Sequence, residues 1–258
     1  LPAEWNRLYK EYARLRSSGD DSEETKARIQ ELRDLRQRLR AQQDSVSDVT
    51  QVKTIAAMKK LKPSQPWLEK LSSLARMCMA YPDYKFRNDA IELYGLLPEG
   101  IKTSLQGQEI YAGLYPPEEA KDGADFPDAT FYDLQGNEHH IAEHKGKYIL
   151  LDFWSSGCGP CILAFPEMKK VYEKYQDRLT IVSMSTDTDS RWRKASEEHD
   201  ITWSNWNEGK GTGGLYAHYR IMGIPYYVLI NPEGKIEKRM MGYGENMFTE
   251  FFAELLGE

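Results

Sequence analysis

Cysteine is scarce in this chain: three in 258 residues, at positions 78, 158 and 161. Three cannot form the disulfide framework of a small secreted domain, so the cysteines are not staples of the fold. Long apolar runs are also missing. No stretch of about 18 consecutive apolar residues occurs, and the sequence therefore offers no membrane-spanning helix. Basic excess is lacking: a formal net charge of −6 argues against binding to nucleic-acid backbones. The chain opens at Leu1 with neither Met nor an apolar leader, so the start is expected to be either processed or trimmed, with any targeting segment already gone. With 40% hydrophobic and 29% charged residues, what remains reads as globular protein of one large or two ordinary domains.

Strand-like alternation is nearly absent before Pro116-Pro117. There the spacing is helical: Ile29, Leu32, Leu35 and Leu39 recur at three or four residues, with Arg and Glu between them. Val46, Val49, Val52, Ile55, Met58 and Leu61 repeat at threes, and Trp67, Leu68, Leu71, Leu74 and Met77 form a further stripe. One or two more helical stretches are expected between Asp89 and Leu114. Charge changes with pattern. Residues 1–118 hold 19 basic and 17 acidic residues, net +2, and residues 119–258 hold 15 and 23, net −8. The segment PPEEAKDGAD, Pro116 to Asp125, has linker composition. We expect an α-helical domain over 1–118 and a second domain over 119–258.

The second domain alternates strand and helix. Thr130–Leu134 and Glu138–Ile141 flank Gln135-Gly136-Asn137 as a hairpin. Lys147–Trp154 and Leu179–Met184 read as buried strands, and Pro160–Tyr175 and Ser190–His199 as helices. A short helix is expected over Gly214–Tyr219, a second hairpin over Tyr226–Met241 and a closing amphipathic helix over Glu245–Leu256. The fold class is α/β: a central sheet with flanking helices, preceded by an all-α domain.

Cys158 and Cys161 fall where the apolar strand ends and a helix begins, in the stretch DFWSSGCGPCI. Unpaired N–H groups and the helix dipole at that point stabilise a thiolate. Pro160 suits a first helical turn, which can lose an N–H. Cys161, one turn on, is placed to attack a mixed disulfide formed on Cys158. As a zinc site the pair supplies only two ligands, and no second pair follows at finger spacing. As a haem attachment it lacks the next His, since Ile162 follows Cys161. As a structural staple it closes too short a loop to constrain the unfolded chain. Thiol–disulfide exchange is the reading that uses all its features.

Trp154 to Cys161, with Asp152 two residues before, resembles a thioredoxin active site. The runs Ala124–Phe131, Asp133–Gly136, Lys145–Trp154, Gly223-Ile224-Pro225 and Leu229–Ile236 resemble the TlpA/ResA-like branch of that fold. The likeness covers roughly residues 120 to 258, while the helical half resembles cell-envelope thiol-disulfide proteins of Bacteroidetes in architecture only. The resemblance implies a protein-disulfide reductase in the periplasm or cell envelope. It implies protein thiol and disulfide substrates, a membrane electron donor, and no cofactor beyond the redox-active pair. Pro225 would be the family's cis-proline, with Ile224, Trp154, Gly157, Gly159 and Pro160 forming the client-binding surface. Asp152, the lone acid of its strand, would be the base that takes the Cys161 proton, its own pKa raised by burial. The lysine that commonly partners such an acid is absent, and Ser183 stands at that place. Gly157 replaces the usual Trp before the first cysteine, and Tyr226 replaces the usual Thr after the proline.

Other features have plainer readings. His139, His140 and His144 evoke a metal cluster, but adjacent strand residues face opposite ways. The run Gly209–Gly214 lacks P-loop spacing and reads as a loop before a helix. Trp192, Trp203 and Trp206 are expected in the core, Cys78 as a buried inert thiol, and Arg33, Arg36, Arg38 and Arg40 on a solvated helix face. Two alternative functions stay open at this level. One is a thiol peroxidase, though Leu151 stands where its proline belongs. The other is a redox-inactive adaptor whose helical domain binds a partner. That domain is also a candidate for oligomerisation.

Overall fold

The computed structural model describes residues 2–257. It divides into two compact units, Leu1–Pro63 and Ser64–Glu258. The expected 118/119 line therefore runs inside the second unit. Composition marks where the chain loosens, but the helices just before that line pack with the sheet module beyond it.

The first unit is a helical hairpin of α1 (Pro2–Ser17) and α2 (Glu23–Met58). Ser22 caps α2 by accepting from the Thr25 amide at 3.2 Å. Leu8 and Leu32 are buried, and Arg28 pairs with Glu11 at 2.7 Å. Arg33, Arg38 and Arg40 are exposed as expected, and only Arg36 is half-buried, its guanidinium lying over the rings of Trp5, Tyr9 and Tyr12. Along α2, Ile55 and Met58 are buried, whereas Val46, Val49 and Val52 are exposed. A helix with about 3.6 residues per turn rotates a repeat of three by about 60° at each step. Val46 thus points opposite to Ile55, and the repeat does not form one face.

The second unit opens with α3 (Gln65–Ala80), α4 (Arg87–Gly95), α5 (Glu99–Lys102) and α6 (Leu105–Leu114). Helices α3 and α6 approach so closely that a Cβ on Gly113 would lie 2.9 Å from the Ala75 backbone. Arg87 ties this layer together, donating to the carbonyls of Cys78 at 2.9 Å and Leu114 at 2.6 Å. Cys78 is buried in α3, and burial raises its thiol pKa. The layer is joined to the sheet module: Glu109 of α6 accepts from the Thr212 amide at 2.8 Å and its hydroxyl at 3.0 Å. The Pro116–Asp125 segment is also held, with the Ala120 amide donating to the His218 carbonyl at 2.9 Å.

The sheet has seven strands: β1 (Phe131–Tyr132), β2 (Glu138–His139), β3 (Tyr148–Trp154), β4 (Leu179–Ser185), β5 (Ser204–Asn207), β6 (Tyr226–Ile230) and β7 (Ile236–Met241). Their spatial order is β2-β1-β5-β4-β3-β6-β7. Strands β3, β4 and β5 run parallel, and β6 lies antiparallel to β3. Helices α7 (Gly159–Tyr175), α8 (Asp189–Glu198), α9 (Leu215–His218) and α10 (Met247–Leu256) complete the unit. The expected fold class holds. Strand β5 has no assignment from sequence, because Ser204-Asn205-Trp206-Asn207 is polar at three of its four positions, yet three of the four residues are buried. All three tryptophans of this region, Trp192, Trp203 and Trp206, are core.

Both faces of β3 are covered. Ile149, Leu151 and Phe153 face one apolar layer with Val182 and Val228. Leu150 and Trp154 face the other, with Cys158, Cys161, Phe165, Tyr227 and Phe248. Alternation puts Asp152 on this second face, in register with Ser183 of β4 and Tyr227 of β6.

Candidate active site

Strand β3 delivers the chain to the N-terminus of α7, and the two cysteines sit at that junction. Cys158 is the N-cap residue, and its Sγ accepts from the Cys161 amide at 3.2 Å. Pro160 lies in the first turn, where no N–H is needed. The two sulfurs are bonded to one another in a disulfide. Cys161 is fully buried and Cys158 is 8% exposed, which leaves Cys158 as the sulfur a client can reach. Gly157, Gly159 and Pro160 are exposed around it.

The Ile224–Pro225 peptide bond is cis. It lies immediately before β6, whose first residue Tyr226 pairs with Phe153 near the end of β3. The two segments therefore reach the same end of the sheet. The Gly242 amide donates to the Pro225 carbonyl at 2.9 Å, and half-buried Ile224 packs against the apolar layer that holds both cysteines. One expected client-binding residue lies elsewhere: Trp154 is wholly buried, edge-on to Phe165 with centroids 5.2 Å apart. The reason is that β3 is covered on both faces to its last residue. Trp154 supports the cysteine pair from beneath and offers no surface to a partner.

Asp152 is 1% exposed, and burial pushes its carboxyl up to about 7, the Ser183 hydrogen bond opposing that rise. The Ser183 hydroxyl donates to Asp152 Oδ2 at 2.7 Å, and the Trp203 indole N–H donates to the same hydroxyl at 2.8 Å. Asp152 Oδ1, Trp154 Nε1 and the Tyr227 hydroxyl are buried without a hydrogen-bond partner. A buried acid with one committed oxygen and one open oxygen, on the face that holds Cys161, has the composition of a proton acceptor.

Sequence reasoning missed Asp187. Its carboxylate accepts from the Ser156 amide at 2.6 Å and from the Ser156 hydroxyl at 3.2 Å, and so holds the loop that leads into Cys158. It follows β4 by two residues, and only the parallel pairing of β3 with β4 brings it to that loop. The histidines have structural work. His139 bridges Asp133 at 3.1 Å and Glu143 at 3.2 Å, and both His139 and His144 stack on Trp206.

Residues 146–236 match the family model described as thioredoxin-like. The thiol-disulfide oxidoreductase ResA of Bacillus cereus is 28% identical over 145 residues, which is 55% of this chain and 83% of the relative. The thioredoxin-like protein YneN of Bacillus subtilis is 27% identical over 126 residues, 47% of this chain and 72% of the relative. Among solved structures, the thioredoxin domain of a thiol-disulfide oxidoreductase from Bacteroides vulgatus is 34% identical with a TM-score of 0.47, covering 51% of this chain and 95% of that one.

Proposed function

We propose that this chain, a thiol-disulfide oxidoreductase whose thioredoxin-like domain is of the ResA/TlpA type, reduces disulfides of protein clients in the bacterial cell envelope. The observation that carries the reading is the bonded pair Cys158–Cys161 at a helix N-terminus, with buried Asp152 on the same face of the sheet.

In the reduced protein, the Cys158 thiolate attacks one sulfur of a client disulfide. A mixed disulfide forms and the client's other sulfur leaves as a thiolate, which takes a proton from solvent. Cys161 then gives its proton to the Asp152 carboxylate and attacks Cys158 Sγ. The client's second sulfur leaves, and two electrons have passed from the pair to the client. Half-buried Ile224, with exposed Gly157, Gly159 and Pro160, forms the surface along which the client lies, and the buried cis Pro225 sets the loop that carries Ile224. A membrane electron donor returns the pair to the dithiol. That donor is a separate protein in this scheme, and no described helix is long and apolar enough to cross a membrane. The exposed Val46, Val49 and Val52 of α2 support self-association through the helical hairpin. In this reading the thioredoxin-like part of the sequence starts at about residue 119, within the compact unit that begins at Ser64.

Cys158→Ser is expected to abolish reduction of a model protein disulfide such as insulin. Cys161→Ser is expected to retain the first attack and accumulate the mixed disulfide on Cys158. Direction is read from the midpoint potential: about −250 mV or below supports a reductase, and above about −150 mV a disulfide donor. Full activity in Cys158→Ser would end the proposal.

A further inference from the structure

We propose that Ser183 and Trp203 are positioning residues that orient the Asp152 carboxyl, committing Oδ2 to Ser183 and reserving Oδ1 for the Cys161 proton. This rests on the reading of Asp152 as the base. The polarity of the chain is fixed by its first member. An indole N–H only donates, so at 2.8 Å the Ser183 oxygen must accept from Trp203. A serine hydroxyl has one hydrogen, and the 2.7 Å contact to Asp152 Oδ2 takes it. Oδ1 is then the buried oxygen left without a partner.

Three separate segments build this chain. Asp152 comes from β3, Ser183 from its register partner on β4, and Trp203 from the turn before β5. Ser183 is fully buried and Trp203 nearly so. The Trp203 ring packs edge-on to Phe165 of α7, with centroids 5.9 Å apart, so the relay is braced against the helix that carries both cysteines. Helix α7 thus carries both Cys161 and the ring against which the far end of the relay packs.

Ser183 is a neutral donor. It stabilises the carboxylate by a hydrogen bond but supplies no countercharge, and among the described residues no cation is recorded bonding Asp152. The titratable groups that feel its charge are Tyr227 on β6 and Tyr216 on α9, and Cys161 of α7 belongs to the layer on the same face of the sheet. Burial pushes both tyrosines well above their ordinary range, so they stay neutral while Asp152 titrates.

The test follows the acid and the second chemical step separately. Asp152 is titrated by carbon-13 NMR of aspartate-labelled full-length protein, its signal assigned with Asp152→Asn. Resolution is timed by stopped flow as release of thionitrobenzoate from a mixed disulfide on Cys158. In Ser183→Ala the carboxyl midpoint should rise by about one pH unit, or about tenfold in ionisation constant, and the midpoint of the resolution rate should rise with it. Ser183→Thr, which keeps the hydroxyl, should restore both. Trp203→Phe should shift both in the same direction by less, and it decides the matter if Ser183→Ala does not fold. A folded Ser183→Ala with an unmoved carboxyl midpoint overturns the proposal. If Asp152→Asn leaves the pH step in resolution intact, the base reading fails instead, while the NMR titration still reports on the Ser183 link.

Discussion

Helix α2 and strand β3 show two ways of burying apolar side chains. Of the 36 residues of α2, the buried ones with described side chains are Thr25, Leu32, Ile55 and Met58. Of the seven residues of β3, six are buried. A helix against one neighbour has a narrow seam, and the rest of its circumference meets water. A central strand is enclosed by helices on both faces and strands on both edges, so every position is constrained. The difference teaches where a polar residue carries meaning. Charged side chains on α2 are ordinary, whereas Asp152 on β3 is the single acid in a closed environment.

That contrast can be tested by substitution, strongest effect first. Phe153→Ala should destabilise the protein by about 3–5 kcal/mol, read by chemical denaturation, because its fully buried ring leaves a cavity between covered layers. Asp152→Asn should act in the opposite direction. The folded protein holds this carboxyl at about 7 against an ordinary 3.8, so the native state keeps the proton longer than the unfolded state. Wild-type stability is then fully present near pH 4 and falls as pH rises towards 7. The Asn variant lacks that loss and should be more stable at pH 8 by up to about 4 kcal/mol, the gap closing near pH 4. Thermal melts at the two pH values check this, and equal differences at both would contradict the burial argument. In dilute, unassociated protein, Val49→Ala on the solvent-facing side of α2 should change stability by no more than about 0.5 kcal/mol. A loss above 2 kcal/mol would show that something covers that face in solution.

The same contrast explains what could be read in advance. Cys158, Cys161 and Asp152 are legible because one contiguous stretch carries them. Pro225 is legible because a short motif precedes an apolar strand. Strands β3 and β4 declare themselves as apolar runs. Ser183 is visible only as the place where a lysine is missing, and its bond to Asp152 needs the β3–β4 register. Trp203 and Asp187 reach the site through tertiary contacts over 20 and 31 residues, which no local pattern encodes. Strand β5 hides because its asparagines bond inward: Asn205 accepts from the Trp192 indole and donates to the Ser196 hydroxyl. Along α2 the repeat of threes signals helix correctly but not which side is buried. The linker at Pro116–Asp125 is legible as composition, whereas the packing of α3–α6 onto the sheet module is not.

The grip of Glu109 on Thr212 bears on how this protein could be made smaller or recombined. Residues 209–214 lead into α9, and Arg220 just beyond donates to the Pro117 carbonyl. Cutting at residue 119 would strip that loop of its carboxylate anchor and expose the α6 surface beneath it. The separable piece begins near Ser64 instead, after the exposed residues 59–62. A swap of redox modules between related proteins should therefore carry the four helices α3–α6 along, because in this chain they are foundation and not attachment.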